Sequence, residues 1–518
     1  MFSRREALAA AGVVAGATAL PGSVQYTASM LKDGDGKPIP VRSNDNAGAR
    51  HFNAFNEPDT WYVFGWGGQS LNGGQASLLH LPKSLSATER EAITARTYRP
   101  VTLTSENPDP DRVLMPDCGS VILGKNVTGF RPLGEYRKIP DYSQTPSGET
   151  PVSQALFTFF RQLRVDFPQD PAPTLIGLNY AVGSSSIVNV GPGRPAWNDL
   201  QRAMSAITRL AKNAGKRVQF VTEIYRGFEA DWDIALHADA TNRDPHDPSI
   251  IRGRERDALM RMMADRRVRL EEALLPLTGQ KQRIRLLFDQ LQHGASSYKD
   301  ATHEPRATAA QLDIHTFDPL CCAMGSKSGI PENILDFIHP SPHGYAWLGQ
   351  FDGNILYRHL STVEGHQPLK VARFWQIEAR VFGVRFNRHI ELLTDDSVIT
   401  VSTLGPGKGL MIVDGEGESV PISNIERSDP DSLRLETSAD PRGFAPLKLN
   451  VALNSNRNHR GNRNGARSAV VAERPLSHVT HQPPVFSGEL NDEGAAWPSY
   501  PPLMPIYETA AHQQVVIS

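Results

Sequence analysis

Ser70 closes a glycine-rich turn, Gly67-Gly68-Gln69-Ser70, that follows the apolar run Trp61-Tyr62-Val63-Phe64-Gly65. A serine hydroxyl is a weak nucleophile until a base takes its proton. At the exit of a buried strand, that hydroxyl should project from the carboxyl edge of a sheet. Asp336-Phe337-Ile338-His339 supplies the missing groups, an acid and an imidazole three residues apart with Pro340 next. One loop can carry both, so that the carboxylate orients the imidazole and stabilises its protonated form. His343 is the second candidate base and lacks an acid at a comparable offset. The chemistry of this set is acyl transfer through a serine ester, which requires no metal or organic cofactor.

These residues are far apart in the chain, so a regular scaffold has to bring them together. Thr150 can cap a helix from Pro151 to Leu163, and Thr174 to Ala181 reads as a strand stopped at Gly183. Leu200, Met204, Ile207, Leu210 and Ala211 share one face at helical spacing. That helix has Asn198 or Asp199 near its start and Gly215 at its end. Arg217 to Ile224 is the next strand. Leu259, Met262, Met263, Leu270 and Leu274 mark another helix, and Arg283 to Phe288 another strand. Strands separated by helical patterns imply a doubly wound parallel α/β sheet, with ligands beyond the carboxyl ends of its strands. Residues 100–150, rich in Pro, Gly and Asp, read as a long structured loop region. After about residue 366 short β-rich runs divided by Gly, Pro and Asp predict a C-terminal β-sandwich-like module. Trp375 and Phe386 fall in its apolar strand-like runs, which makes them core residues before they are a sugar platform.

The turn at Ser70 near the start of an α/β domain, with Asp336, His339 and Pro340 near its end, resembles the SGNH (GDSL-like) hydrolases. The Gly-Gln-Ser form is similar to their branch of carbohydrate esterases and sialate O-acetylesterase-like proteins. The run Gly148-Glu149-Thr150-Pro151 stands before a helix as in that branch. The resemblance implies that Gly183, in Ala181-Val182-Gly183-Ser184, is an oxyanion-hole glycine and that Gln69 belongs to the nucleophile turn. At the third block the branch places a side-chain amide. This chain has Tyr225-Arg226-Gly227-Phe228 there instead, so either Arg226 or a backbone N–H substitutes, or the oxyanion hole is weaker than in relatives. Glu229 and Asp231 match that block's acidic positions and read as a supporting network.

The 518 residues, 39% hydrophobic and 21% charged, describe an ordinary globular chain. A net charge of -2 gives no basic face for nucleic acid, and the arginine cluster from Arg252 to Arg269 reads as the solvated side of a helix. Ser3-Arg4-Arg5, an apolar run over residues 7–20 and Ala17-Thr18-Ala19 form a twin-arginine-like signal, too short to span a bilayer. Three cysteines, two of them adjacent, define no disulfide framework. The segment from Gly119 to Asn126 misses the P-loop pattern, because Asn126 has no hydroxyl for Mg²⁺. Asp313, His315 and Asp318 lack metal-site spacing.

The expected organisation is a signal at 1–24, an esterase domain at 50–365, a β-rich module at 366–480 and a proline-rich tail at 481–518. The expected activity is that of an exported serine esterase removing acetyl or other short acyl groups from a carbohydrate. A lipase or general carboxylesterase of the same fold, and a non-catalytic polysaccharide-binding protein, are the alternatives. The implied partner is an acylated carbohydrate or other ester, with no nucleic acid and no membrane span in the mature chain.

Overall fold

The computed structural model describes residues 55–69, 102–135, 149–183, 185–227, 256–290, 306–326, 342–362, 365–394, 404–443, 446–452, 468–478 and 513–518, with residue 72 and a few other isolated positions. The first strand, β1 (Thr60–Gly68), is buried almost throughout. Its side chains alternate between two cores, as the two-residue period of a strand requires. Tyr62, Phe64 and Trp66 point into one core, and Val63 into the other.

Around β1 lie β2 (Val113–Pro116), β3 (Phe130–Pro132), β4 (Thr174–Asn179), β5 (Arg217–Arg226), β6 (Arg285–Asp289) and β7 (Cys321–Gly325). Their order is β3-β2-β4-β1-β5-β6-β7. Every pairing is parallel except that of β2 with β3. Stripped of the β2–β3 edge, this is a doubly wound sheet whose strand order reverses beside β1, where such folds bind ligands. The residues expected to be loop between 100 and 150 thus contribute two short strands. Val113 and Met115 are buried, and β2 lies parallel to β4, with Val113 opposite Leu175 and Leu114 opposite Ile176.

Among the described residues five helices cover the two faces: α1 (Pro151–Asp166), α2 (Pro195–Asn213), α3 (Arg256–Thr278), α4 (Arg306–Phe317) and α5 (Pro342–Ser361). Side chains of α1 and α5 join the core on one face; those of α2, α3 and α4 join the other. Thr150 caps α1 as its sequence suggests, its hydroxyl accepting from Val152 N at 3.3 Å. Helix α2 starts earlier than Asn198 or Asp199, because Pro195 takes its first turn, where a missing N–H costs nothing. Asp199 accepts instead from Gly124 N at 2.7 Å and pairs with Arg202. The arginines of α3 also differ from expectation: Arg266 and Arg267 are buried. Arg266 reaches Glu223, and Arg267 reaches Asp318 and Glu271.

The second unit is a sandwich around one core containing Phe374, Phe382, Val384, Ile412, Leu433 and Leu449. Its strands are β8 (Val371–Glu378), β9 (Val381–Phe386), β10 (Ile390–Leu392), β11 (Leu410–Val413), β12 (Ser419–Val420), β13 (Ile422–Asp429), β14 (Ser432–Thr437), β15 (Lys448–Val451) and β16 (Val470–Ala472). One sheet runs β13-β14-β9-β8. In the other, β15 pairs with Gln513–Val516, so the last residues of the chain close the module. All three cysteines are free thiols. No helix among the described residues is long and apolar enough to cross a membrane.

Candidate functional site

Two glycines let β1 end hard against β5. A Cβ on Gly67 would lie 1.9 Å from Glu223 Oε1, and one on Gly68 would lie 1.8 Å from Arg226 O. Gly68 also has φ +103°, a conformation that glycine adopts without penalty. The next residue, Gln69, is buried and latches the turn, its N–H donating to Arg226 O at 2.8 Å. On the other side Val182 N donates to Gly68 O at 2.9 Å, and Tyr180 N to Trp66 O at 2.9 Å. The exits of β4, β1 and β5 therefore converge at the point where the strand order reverses. Gly183 is the residue after that latch, half-buried beside the turn.

Asn72 ties this rim together from below. Its side-chain amide donates to Gly67 O at 2.6 Å and to Ile224 O at 2.9 Å, while its carbonyl oxygen accepts from Asn179 Nδ2 at 2.6 Å. Its Oδ1 accepts from Arg226 Nη1 at 2.6 Å. Sequence reasoning missed Asn72, since nothing local marks a polar residue whose partners Asn179, Ile224 and Arg226 lie more than a hundred positions away.

Arg226 is the offered substitute for the absent amide, and its guanidinium turns inward. It is fully buried; Nε donates to Asp289 Oδ2 at 2.9 Å, Nη1 to Asp352 Oδ2 at 2.9 Å, and Nη2 to Asp352 Oδ1. Asp352, on α5, also accepts from Trp66 Nε1 at 3.2 Å. Burial opposes the charge on Arg226, but Asp352 and Asp289 outweigh it, so the guanidinium stays protonated. Burial pushes the Asp352 carboxyl above the usual aspartate range, with Arg226 and Trp66 pulling against it. Arg226 thus sits beneath the turn as a brace and presents no free face to a substrate. The signal for this network is Asp352 itself, an acid among Leu348, Phe351, Ile355 and Leu356 of a core-facing helix.

A second buried layer lies next to the first. Glu223 accepts from Arg266 Nε at 2.8 Å, from Arg266 Nη2 at 2.5 Å and from the Tyr180 hydroxyl at 2.7 Å. The Arg266 guanidinium carbon is 4.5 Å from the Tyr225 ring centroid. Fixed charges below the three strand exits hold them in one arrangement, as a preorganised site needs.

Ser70, Asp336, His339 and Glu229 lie outside the described residues, as do Asp231 and Ser184. What the structure brings together is their frame: Gln69, Gly183 and Arg226 at one rim, with α5 leaving the segment that carries Asp336 and His339. His343 is buried in the first turn of α5. Asp318 is engaged by Arg267. Among the described residues no group of three or more His, Cys, Asp or Glu is arranged to hold a metal.

No family model matches the chain, and no curated protein does. Among solved structures, a carbohydrate acetylesterase from Xanthomonas citri shares 14% identity over 78% of each chain, with a TM-score of 0.41. A protein from Arabidopsis thaliana shares 12% over 57% of this chain and 97% of its own, at 0.31. NanS shares 15% over 53% of this chain and 82% of its own, at 0.27. Likenesses of this size leave the activity to be argued from the residues of this chain, whose fold is a doubly wound α/β sheet joined to a β-sandwich.

Proposed function

We propose that this chain is an exported serine esterase that removes acetyl or other short acyl groups from a carbohydrate. One observation carries the reading. The turn that leads into Ser70 leaves β1 at the reversal of strand order, latched to the exits of β4 and β5. The helix that follows Asp336 and His339 in sequence is bound to those same strand ends through Asp352. The reading takes the Ser70 hydroxyl and the His339 imidazole to meet at that rim.

In the reaction His339 takes the Ser70 proton while Ser70 Oγ attacks the ester carbonyl. Asp336 supports the imidazolium that forms. Backbone N–H groups of Ser70 and Gly183 receive the oxyanion, a contribution of about 10²–10³-fold for one such donor. His339 then protonates the leaving alcohol, and the acyl-enzyme is hydrolysed by a water that gives its proton to the same ring. The carbohydrate half of the proposal rests on the resemblance of the Gly-Gln-Ser block.

Replacing Ser70 by Ala is expected to lower turnover of an aryl acetate by about 10³-fold or more at unchanged melting temperature. Unchanged turnover overturns the proposal, and glycan binding without hydrolysis in either form points to a binding protein. Comparing acetylated xylo-oligosaccharides with long-chain lipid esters then separates a carbohydrate esterase from a lipase.

A further inference from the structure

The sheet β13-β14-β9-β8 has one face in the sandwich core, through Phe374, Phe382, Val384, Phe386, Leu433 and Leu435. The other face carries a groove of about 480 Å³ whose lining includes Arg373, Trp375, Arg385, His389, Asp429 and Asp431. That volume is in the range of small-ligand sites.

Arg373 and Arg385 stand directly opposite each other on β8 and β9. Like charges in that position oppose pairing. The neighbouring arginines are neutralised: Arg434 by Glu426 and Glu436, Arg427 by Glu473. Neither Arg373 nor Arg385 has an ion pair among the described residues, although two carboxylates line the same groove. Asp431 accepts from the Ser432 hydroxyl at 2.7 Å, and Asp429 is exposed.

Trp375 is half-exposed rather than a core residue. Gly383, its cross-strand partner, makes the space for it: a Cβ there would lie 2.2 Å from indole Cε2 and Cζ2. The indole in turn holds Arg373, whose guanidinium carbon is 5.2 Å from the ring centroid. The groove therefore combines two unneutralised guanidiniums, two carboxylates and a fixed aromatic ring. A bare inorganic anion offers no donors to Asp429 and Asp431 and nothing to the indole. A polyhydroxylated ligand with one acidic group uses everything present: its carboxylate takes the guanidiniums in bidentate fashion, its hydroxyls donate to the aspartates, and its C–H face lies against the indole.

We infer that this outer face of the β-sandwich binds an acidic saccharide unit, a sugar bearing a carboxylate, at a site separate from the Ser70 rim. Its role is to hold an acidic glycan on the protein independently of the ester chemistry.

Titration calorimetry of the full chain with tetragalacturonate, with a neutral xylotetraose and with inorganic phosphate tests it. The expected result is binding of the acidic oligosaccharide, with the neutral one and phosphate each at least about tenfold weaker. Arg385→Ala and Trp375→Ala should each weaken binding by about tenfold or more, with aryl-acetate turnover unchanged. Equal affinity for the neutral sugar, equal affinity for phosphate, or unaltered binding by the Arg385→Ala, Trp375→Ala double variant would overturn it. Because turnover is read in the same samples, loss of this site and failure of the esterase proposal give different outcomes.

Discussion

Arg226 ends a strand of the α/β sheet, and Arg385 lies near the end of a strand in the β-sandwich, yet their surroundings are opposite. Around Arg226 two carboxylates, an asparagine and no solvent close every side. Arg385 is exposed, faces another arginine and has no acid in contact among the described residues. A charge taken out of water must be matched by partners, so the first arginine is committed to the protein's own architecture. A charge left at the surface next to its like is available to something else. Glu135 is an intermediate case: it is buried and accepts from the Thr150 hydroxyl at 2.7 Å and the Ser153 hydroxyl at 2.9 Å, with no cation paired to it among the described residues. Burial accordingly pushes its carboxyl up to about 7, with those hydrogen bonds opposing.

The largest effect should come from breaking the matched case. Asp352→Ala leaves the Arg226 guanidinium with Asp289 as its one carboxylate partner among the described residues, beside Asn72, and takes from Trp66 Nε1 its acceptor. Removing one partner of a buried pair costs about 3–5 kcal/mol, to be read as a lower urea midpoint. If the loss is under about 1 kcal/mol, the brace beneath the rim is not structural, and Arg226 regains its candidacy as a donor to the oxyanion.

Parts of this arrangement are legible in the sequence and parts are not. Periodicity located α2, which buries one regular stripe, whereas α1 was marked by its Thr150 cap and the strands by short apolar runs, all buried almost throughout. Sequence reasoning also set Asn198 or Asp199 near the start of α2, where they lie, though Pro195 opens the helix and Asp199 accepts from Gly124 and pairs with Arg202. It read β2 and β3 as loop, since strands of four and three residues with proline at their ends show almost no alternation. The arginines of α3 looked solvated because the acids that bury them, Glu223 and Asp318, belong to distant segments. Trp375 was expected in the core, and the clue against it was Gly383, whose pairing with Trp375 only the register reveals. The turn at Gly67 and Gly68 was readable for the opposite reason: close approach of two strands demands glycine locally.

Glu135 sharpens the comparison at intermediate size. Its folded value is about 7 against an ordinary 4.5. Between those pH values the unfolded chain releases a proton that the folded chain keeps, so this group's contribution to stability falls as pH rises from 4.5 to 7 and is constant above. Linkage allows at most about 1.4 kcal/mol per pH unit across that window. His366 works in the other direction. Burial holds its ring down at about 3, so its contribution is lost as pH falls below 6.5. Glu135→Gln should remove the Glu135 slope while leaving that of His366, seen in urea midpoints at pH 4.5, 6 and 7.5. Parallel curves for the two proteins would mean that Glu135 ionises in the fold as it does in water.

The smallest effect belongs to the unmatched pair, and its sign is informative. Arg385→Ala removes a like-charge opposition across β8 and β9 without opening the core, because Phe374 and Val384 pack on the far side of the sheet. Stability should stay level or rise by a few tenths of a kcal/mol, whereas Asp352→Ala is costly. A destabilisation of 1 kcal/mol or more would show that the Arg385 aliphatic stem is holding the Trp375 ring in place. The arginine would then be as structural as Arg226, and the two regions would no longer differ in kind. A level or raised midpoint means that the sheet keeps a residue it folds as well without, which is the pattern expected where stability has been conceded to binding.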